Sequence, residues 1–427
     1  MTVRLRKPLL KRDRPQLLGA KKNFNAPPAS APPQCSLQSQ CQACVFVNMP
    51  YEQGLKAKYQ AGLDLLSGEL GLNQTKLLAP VPSPKQLYYR ASAKLAVAPS
   101  LSSDRLDGKR FRIGLYKPNS HDVIDIGRCP LHVASIKQVL EILQDELEAS
   151  SLAPWHERTA SGDIRYIVMR ASHLTSEVML TFVVTNLECR SALKQIITNV
   201  RQRQQRVVSV YLNLQAGSGN AIFGNETIHL AGQKFLRESL CGLRFEISPT
   251  SFFQVNPWQA QNLFRRIEQL VGMSQSGVAW DLYCGSGPIA MILARAGFRV
   301  LGIEENPSCI QDAEANLRRN KLETAVTLVS GATETVLQDI PEWGQRPQVI
   351  VTNPARSGLA PKAREALITV LNRHPSCQLI YVSCEMKTLA RDLKALASSG
   401  FVLRQLEAFD MFAQTDKMEW LAVLTKG

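Results

Sequence analysis

Three cysteines lie within ten residues of one another in the segment CSLQSQCQAC (35–44). Cys35, Cys41 and Cys44 have the spacing C-x5-C-x2-C, and the C-x2-C half would let two thiolates reach one metal ion. The N-terminal residues contain no apolar run typical of a secretory signal, and clustered cysteines in such a chain favour metal binding over disulfide bonds. Because most metal sites need four ligands, the trio predicts an incomplete site.

A glycine-rich segment, DLYCGSGPIA (281–290), is a second candidate for chemistry. Gly285 and Gly287 allow the backbone to approach a ligand closely before a helix begins. The pattern G-x-G-x-x-A also fits a dinucleotide fingerprint, but the proline at the helix start and the tyrosine–cysteine pair before the glycines favour S-adenosylmethionine. Glu304, in GIEEN, can accept hydrogen bonds from ribose hydroxyls, and a surface acid at a strand end is the alternative interpretation.

The elements that must position these residues alternate between strands and helices in the C-terminal part of the chain. Five apolar runs separated by helical segments predict strands: VAWDLY, RVLGIE, VTLVSG, QVIVTN and QLIYVS. This alternation predicts a parallel sheet covered on both faces. Two further strands, FVLRQLEAFDMF and EWLAVLTK, follow without a helix between them and should pair antiparallel. We therefore expect an α/β fold of the S-adenosylmethionine-dependent methyltransferase type, a doubly wound seven-stranded sheet with a reversed last strand.

This topology brings a thiol and a carboxylate to one edge of the sheet. Cys384 follows the fifth strand, and Glu419 begins the last strand, whose reversed direction places its start where the parallel strands end. A buried structural cysteine is the alternative interpretation of Cys384. A thiol, a carboxylate and a methyl donor are what C5 methylation of a pyrimidine requires. Thiolate attack on C6 makes C5 nucleophilic, and a base then removes the C5 proton.

Six segments resemble motifs of the RNA uracil-C5 methyltransferase family, in the same order. They are SFFQVNP (251–257), DLYCGSG (281–287), GIEEN (302–306), NPARSG (353–358), YVSC (381–384) and FDMFAQTDKMEWLAVL (409–424). The resemblance implies that four residues bind S-adenosylmethionine: Gln254, Tyr283, Glu304 and Asn353. It also implies that Cys384 is the nucleophile and that Glu419 is the base.

Two positions beside the implied catalytic residues depart from the family's pattern. The nucleophile is usually followed by asparagine, whereas Glu385 follows it here. The family's histidine two residues before the base is replaced by Lys417. Both departures concern the surroundings of the nucleophile and the base rather than these residues themselves.

The resemblance also implies a fourth ligand for the cysteine trio. Ribosomal RNA branches of the family hold a [4Fe–4S] cluster with three N-terminal cysteines and a distant fourth, which here is Cys129 in IDIGRCPLH. On spacing alone, a four-thiolate zinc site is equally compatible, and the resemblance favours the cluster. The other five cysteines are interpreted as packing residues: Cys189, Cys241, Cys284, Cys309 and Cys377.

The RNA partner is also implied by resemblance. A typical family member begins with a small β-barrel RNA-binding domain, for which we expect no room in the 34 residues before Cys35. Cluster cysteines without that barrel, and Asn353 where other branches have aspartate, resemble the RlmC-type branch, which methylates 23S ribosomal RNA. We therefore expect a 23S ribosomal RNA uridine as substrate. The alternatives are another ribosomal or transfer RNA uridine, or a non-catalytic iron–sulfur RNA-binding protein.

Composition and charge bound the remaining expectations. The 427 residues carry a net charge of +14, and residues 1–34 hold eight Lys/Arg against the single acid Asp13. We expect a basic flexible tail (1–34), a cluster-bearing α+β RNA-binding domain (35–245) and a Rossmann-like methyltransferase domain (246–427). The sequence contains no apolar run long enough for a membrane span, so we expect a cytoplasmic monomer with no membrane partner.

Two basic segments of the central region are candidates for RNA contact. GKRFRIGLYK (108–117) interleaves basic residues with Phe111 and Tyr116, which suits phosphate contact and base stacking. The second segment is LKQIITNVRQRQQR (193–206), for which a solvated helix face is the alternative interpretation.

Overall fold

The computed structural model describes residues 35–427 except 101–108, 218, 220, 275 and 341–343. The predicted basic tail, residues 1–34, lies outside the described residues. Within the described ranges, no helix is long and apolar enough to cross a membrane.

The first part of the described chain contains a short N-terminal helical segment followed by mixed strands and helices. In chain order these elements are α1 (Gln38–Cys41), α2 (Tyr51–Glu69), β1 (Lys76–Leu77), β2 (Ser92–Pro99), β3 (Phe111–Tyr116), β4 (Val123–Asp125), α3 (Ala134–Glu148), β5 (Ile164–Ala171), β6 (Val178–Val184), α4 (Arg190–Arg203), β7 (Val207–Leu214) and β8 (Glu226–Gly232). All strands from β2 to β8 belong to one sheet, in the order β4-β3-β2-β5-β6-β7-β8.

Strand alternation explains how this seven-stranded sheet is covered. On β2, Ala93, Leu95 and Val97 belong to a buried core that includes residues of α3 and α4. Successive side chains of a strand point to opposite faces, so Lys94 and Ala96 belong to the face away from these helices. One face of the sheet is therefore packed under helices, and the other is left for different contacts.

The second part of the chain forms a hairpin and then a regular alternation of strands and helices. Its elements are β9 (Leu236–Leu240), β10 (Leu243–Ile247), α5 (Pro257–Val271), β11 (Val278–Leu282), α6 (Pro288–Arg295), β12 (Arg299–Glu304), α7 (Pro307–Asn320), β13 (Val326–Ser330), α8 (Thr333–Val336), β14 (Val349–Thr352), α9 (Pro361–Arg373), β15 (Gln378–Ser383), α10 (Met386–Ser398), β16 (Phe401–Phe409) and β17 (Glu419–Lys426). Helices α5, α6, α7 and α9 all begin with proline, which suits a first turn because the missing N–H has no partner there.

The second sheet confirms the predicted α/β methyltransferase topology. Its strand order is β1-β16-β17-β15-β14-β11-β12-β13, and β17 pairs antiparallel with both β15 and β16. The sheet has one strand more than predicted, because the two residues of β1 add to its edge beside β16. The predicted boundary between residues 245 and 246 falls within β10, and the division into central and methyltransferase domains stays a prediction.

Helix α2 packs on the second sheet rather than on the first. Its residues Leu55 and Leu66 belong to the same buried core as Trp420 of β17. The Tyr59 ring stacks on the Trp420 ring at a centroid distance of 5.6 Å. Gly62 lies against the same indole so closely that a Cβ atom at this position would collide with it. The absence of a side chain at residue 62 thus lets the helix approach β17.

Helix α2 also holds the loop that leads into β17. Lys58 is 5% exposed, and its ammonium donates to the Asp410 carboxylate. The ammonium also donates to three loop carbonyls, those of Phe412 (3.2 Å), Thr415 (3.3 Å) and Lys417 (3.3 Å). A second oxygen of Asp410 accepts the hydroxyl of Tyr51 at 2.7 Å. One buried cation therefore neutralises a buried carboxylate and satisfies three loop carbonyls.

We expect Lys58→Met to lower the free energy of unfolding by about 3–5 kcal/mol, because it leaves a buried carboxylate without its counter-ion. Urea denaturation would measure the change. Lys56→Met removes an exposed lysine from the same helix and should change stability by less than about 0.5 kcal/mol. Equal destabilisation by the two variants would contradict the role of Lys58.

Candidate active site

Five of the predicted site residues lie at one edge of the second sheet. The strands β12, β11, β14, β15 and β17 are consecutive neighbours in that sheet. Glu304 ends β12, and three residues directly follow β11, β14 and β15: Tyr283, Asn353 and Cys384. Glu419 begins the reversed strand β17. Sheet topology therefore collects these residues along a single rim, although 115 positions separate Glu304 from Glu419.

The strand register places Cys384 beside Glu419. In the antiparallel ladder between β15 and β17, Ser383 is opposite Trp420. The next positions in this register are Cys384 and Glu419, and opposed residues of such a ladder have Cα atoms about 4.5–5.5 Å apart. On its other side, Glu419 is opposite Phe409 of β16. Glu419 therefore lies beside Cys384, at the start of the strand that is paired with both β15 and β16.

Burial sets the acid–base properties of this pair. Glu419 is 5% exposed, and burial raises its carboxyl pKa to about 8, while the Arg356 cation opposes the rise. Burial and the neighbouring Glu419 raise the pKa of the Cys384 thiol. The guanidinium of Arg356, within hydrogen-bonding reach of the sulfur, lowers it. Arg356 therefore favours the ionised form of both groups.

Arg356 is the functional candidate that the sequence analysis missed. It lies in the NPARSG segment, three residues after Asn353, so the signal was present in a motif already noted. Its loop is anchored by the buried Asp392, which accepts the backbone N–H of Leu359 at 2.9 Å. Gly358 has a φ of 70° and lies so close to Asp392 that a side chain would collide with the carboxylate. These contacts fix the backbone of the loop that carries Arg356 beside the Cys384 thiol.

The two departures from the family's pattern contact each other. The Lys417 ammonium lies 3.1 Å from a carboxylate oxygen of Glu385. Glu385 follows the candidate nucleophile, and Lys417 precedes the candidate base by two residues. The Lys417 side chain is 38% exposed and the Glu385 side chain is 23% exposed, so the ion pair is partly shielded from water. It joins the loop after β15 to the loop before β17.

The glycine-rich segment after β11 has the backbone geometry of a ligand-binding turn. Tyr283, Gly285 and Gly287 have φ angles of 65°, 56° and 87°. Tyr283 is the unusual member, because a left-handed conformation costs a non-glycine residue about 1–2 kcal/mol. The Glu304 carboxylate accepts the Gly285 N–H at 2.9 Å and the Asn306 N–H at 2.8 Å. Glu304 thus holds the turn in place and remains beside it.

A buried acid, Asp281, lies in β11 just before this turn. It is 0% exposed, and neither carboxylate oxygen has a hydrogen-bond partner of good geometry within the described part of the chain. Burial raises its pKa, with the backbone N–H of Ala290 opposing the rise. Apart from its two chain neighbours, no atom of the described residues lies within 4 Å of a Cβ position at Gly285. An orphaned carboxylate and open space over a glycine turn fit S-adenosylmethionine, whose amino group and sulfonium are positive.

Gln254 is the one predicted donor-site residue that is not on the strand edge. It lies between β10 and α5 and lines a small cavity with Ala91, Arg170 and Glu238. Among the described residues, no hydrogen bond joins it to the strand-edge group. Its role in binding the methyl donor stays a prediction.

The four predicted cluster cysteines converge in the first part of the structure. Burial raises the pKa of Cys44 to about 12, and the neighbouring thiols of Cys129, Cys41 and Cys35 add to the rise. Three of them line a cavity of about 260 Å³: Cys41, Cys44 and Cys129. The described residues nevertheless contain no group of three or more Cys, His, Asp or Glu side chains arranged as a metal site. The structure therefore shows convergence of the thiols and does not show a metal site.

Cys129 is surrounded by groups that partly offset the effect of its burial on the thiol. Burial raises the pKa of its thiol, but the backbone N–H groups of Leu131 and His132 and the Arg90 cation all lower it. Arg90 also lowers the pKa of Cys44. Donors aimed at sulfur are what a negatively charged ligand set requires.

Four of the five cysteines interpreted as packing residues are buried: Cys189, Cys284, Cys309 and Cys377.

The structure corrects the interpretation of the segment 108–117. Phe111 is 0% exposed in the core under α3, so the prediction that it stacks on a base is wrong. Arg110 donates to the carbonyls of Leu147 and Ser150, and thereby ties β3 to the end of α3. The exposed residues are at the two ends of the segment, Lys109 and Arg110 at its start and Tyr116 and Lys117 at its end.

Comparison with known proteins agrees with this fold. The family model described as tRNA (uracil-5-)-methyltransferase matches residues 168–427. An uncharacterized RNA methyltransferase of Geobacter sulfurreducens is 33% identical over 93% of this chain and 77% of the relative. One of Listeria innocua is 32% identical over 92% of this chain and 83% of the relative.

A solved structure also superposes on most of the chain. It is the Pyrococcus abyssi tRNA (uracil-54, C5)-methyltransferase in complex with S-adenosyl-L-homocysteine, with a TM-score of 0.70 and 25% identity. The superposition covers 90% of this chain and 86% of that structure. On the family model, the relatives and the superposed structure together, the chain belongs to the RNA uracil-5 methyltransferase family and uses S-adenosylmethionine.

Proposed function

We propose that this protein methylates C5 of a uridine in 23S ribosomal RNA through a covalent bond between Cys384 and C6 of the base. The observation that carries the proposal is the juxtaposition of Cys384, Glu419 and Arg356 at the rim that also holds the glycine turn. A thiol and a carboxylate with one cation near both are the groups that this reaction needs.

The residues of the chain divide the work as follows. Arg356 stabilises the Cys384 thiolate, which attacks C6 and leaves enolate character at C5. When bound, S-adenosylmethionine supplies an electrophilic methyl group to C5. The Glu419 carboxylate then takes the C5 proton, C5–C6 unsaturation re-forms, and the thiolate leaves C6. The buried position of Glu419 keeps it basic enough for this task.

The donor would be held by the rim. Asp281 would face its amino group, Glu304 its ribose hydroxyls, and Tyr283 and Asn353 its nucleoside, in line with the family's motifs. Gln254 would contact it from outside the sheet edge. These roles rest on placement at the rim and on the orphaned, buried carboxylate of Asp281.

We further propose that Cys35, Cys41, Cys44 and Cys129 hold a [4Fe–4S] cluster. Four neighbouring thiols, next to Arg90 and to backbone donors, are a donor set suited to such a cluster. The cluster would have a structural role, because the uracil chemistry contains no electron transfer. A cytoplasmic location fits an RNA substrate.

Transfer RNA is the second candidate substrate, because the matching family model and the superposed structure carry that name. The cysteine set favours ribosomal RNA, because it resembles the set of the family's ribosomal RNA branches. Methyl transfer to 23S ribosomal RNA and to transfer RNA transcripts, measured side by side, separates the two.

We expect the wild-type protein to form a stable adduct with 5-fluorouridine-substituted 23S ribosomal RNA in the presence of labelled methyl donor, because fluorine at C5 cannot leave as a proton does. Denaturing gels would measure it. Cys384→Ala should abolish the adduct, and Cys241→Ala, in the β9–β10 turn, should keep it. Glu419→Gln should accumulate adduct on ordinary RNA. An undiminished adduct with Cys384→Ala would refute the mechanism.

We expect turnover at saturating RNA to rise with pH through about 8, because the base must be ionised and its pKa is raised to about 8. Arg356→Gln should move this rise to higher pH, since the cation lowers the pKa of both Glu419 and Cys384. Each unit of displacement corresponds to about 1.4 kcal/mol. Arg356→Lys should restore part of the profile, and identical profiles for all three proteins would contradict this role of Arg356.

We expect anaerobically purified protein to absorb light at about 400 nm and to contain about four iron atoms per chain, as [4Fe–4S] proteins do. Cys44→Ser and Cys129→Ser should lose this absorbance, and Cys241→Ser should retain it. Stoichiometric zinc without iron would show that the four thiols hold a different metal.

A further inference from the structure

The face of the seven-stranded sheet away from α3 and α4 is only partly covered. Near β6 and β7, Met179 and Tyr211 pack against Leu236 of β9. Arg170 of β5 is 6% exposed and donates to the carbonyl of Ser251. Where β2, β3 and the start of β5 form the same face, the structure instead contains a cavity of about 830 Å³. This volume lies within the range of about 300–1,000 Å³ that small-ligand pockets have.

Aromatic and basic side chains dominate the chemistry of this cavity. Its lining includes Lys94, Tyr116, Lys117, Trp155, Arg165 and Tyr166. The single acid among its lining residues, Glu157, lies 3.0 Å from the imidazole of His121. Aromatic rings together with cations are the combination that binds unpaired nucleotides, through base stacking and phosphate contact.

Two of the aromatic residues are held in place. The Arg165 guanidinium lies 4.9 Å from the centroid of the Trp155 ring and donates to the carbonyl of Gln215. The hydroxyl of Tyr116 is within hydrogen-bonding reach of Tyr166. Because the rings are fixed before any ligand arrives, stacking on them costs little side-chain entropy.

Lys94 is a cation without a counter-ion. Its side chain is exposed, its ammonium lies 5.6 Å from the centroid of the Phe223 ring, and the described residues offer no carboxylate within ion-pair distance of it. Its charged neighbour is instead Arg170, another cation. Two neighbouring cations repel each other, so an anion that binds next to Lys94 is attracted by both. A backbone phosphate is such an anion.

Lys94 also belongs to the wall of the cavity that the predicted cluster cysteines line. This cavity of about 260 Å³ contains Cys41, Cys44 and Cys129, and Arg90 and Phe252 line it as well. Phe252 is 61% exposed and lies two residues before Gln254, in the segment that leads into α5. The two cavities therefore share the basic residue Lys94, and the second one is lined by neighbours of Gln254 in the segment before α5.

We propose that the larger cavity is a binding site for an unpaired nucleotide of the RNA substrate outside the target uridine, with its base on Trp155 and its phosphate on Lys94. The proposal rests on the proposed function as an RNA methyltransferase. In this arrangement, the RNA nucleotides that flank the target uridine lie on the uncovered face of the seven-stranded sheet. Helix α4 packs on the opposite face and does not contact the RNA.

The test measures binding of a fluorescein-labelled oligouridylate, about twelve nucleotides long, within the length that single-stranded sites span, to the full chain at several salt concentrations. Trp155→Ala should weaken binding about 10- to 100-fold, the loss expected for one stacked base. Trp155→Phe should retain most of the affinity. Lys94→Gln should reduce the salt slope by about 1, the value for one phosphate contact.

Lys76→Gln removes an exposed lysine from β1, at the outer edge of the second sheet, and should leave affinity and slope unchanged. Affinity for S-adenosylmethionine should be the same in all variants. Wild-type slope and affinity in Lys94→Gln, together with wild-type affinity in folded Trp155→Ala, would overturn the proposal. Should Trp155→Ala not fold, the Lys94→Gln slope decides alone.

The same proteins separate this proposal from the proposed function. Cys384→Ala should bind the oligonucleotide as the wild type does and form no adduct with 5-fluorouridine-substituted RNA. Absence of adduct in the wild type, with binding still lost in Trp155→Ala, would refute the catalytic proposal alone. Adduct in the wild type, with unchanged binding in Trp155→Ala and Lys94→Gln, would refute the nucleotide site alone.

Discussion

The antiparallel insertion of β17 between β15 and β16 is the constraint on which the rest of the structure depends. Because β17 runs against its parallel neighbours, its first residue, Glu419, emerges at the rim where β15 ends at Ser383. The same eight residues in a parallel strand would carry Glu419 to the far side of the sheet, about 25 Å away at roughly 3.3 Å per residue. Strand direction therefore decides whether a thiol and a carboxylate meet.

A reversed strand needs a loop that turns back to the rim, and residues from the first part of the chain hold that loop. The carbonyl of Ala413 accepts the Tyr89 hydroxyl at 2.9 Å, and that of Gln414 accepts the Phe46 N–H at 3.0 Å. Lys58 and Asp410 supply the buried ion pair beneath them. The loop is thus ordered by contacts that are distant in sequence, and the side of the protein that carries the cysteines supports the candidate base.

The strands and turns that short sequence patterns mark could be predicted from the sequence. The strands around the glycine turn follow from short apolar runs, and the glycines mark a turn whose φ angles are positive. The position of Cys384 beside Glu419 follows from counting strands and noting the missing last helix. Phe111 was misjudged because alternating basic and aromatic residues on a strand do not say which face is buried. Its side chain fills the core under α3.

Contacts between distant segments decided the rest. From the sequence alone come the residue types at the rim, the order of the strands and the resemblance to a family. The pairing of Glu385 with Lys417 was invisible there, because 32 positions separate two residues that looked like unrelated departures. Likewise, a glutamate in a sequence has an ordinary acidity, and only burial between β15 and β16 raises the pKa of Glu419 to about 8. Burial and counter-charges are properties of packed neighbours, so the tertiary structure alone determines them.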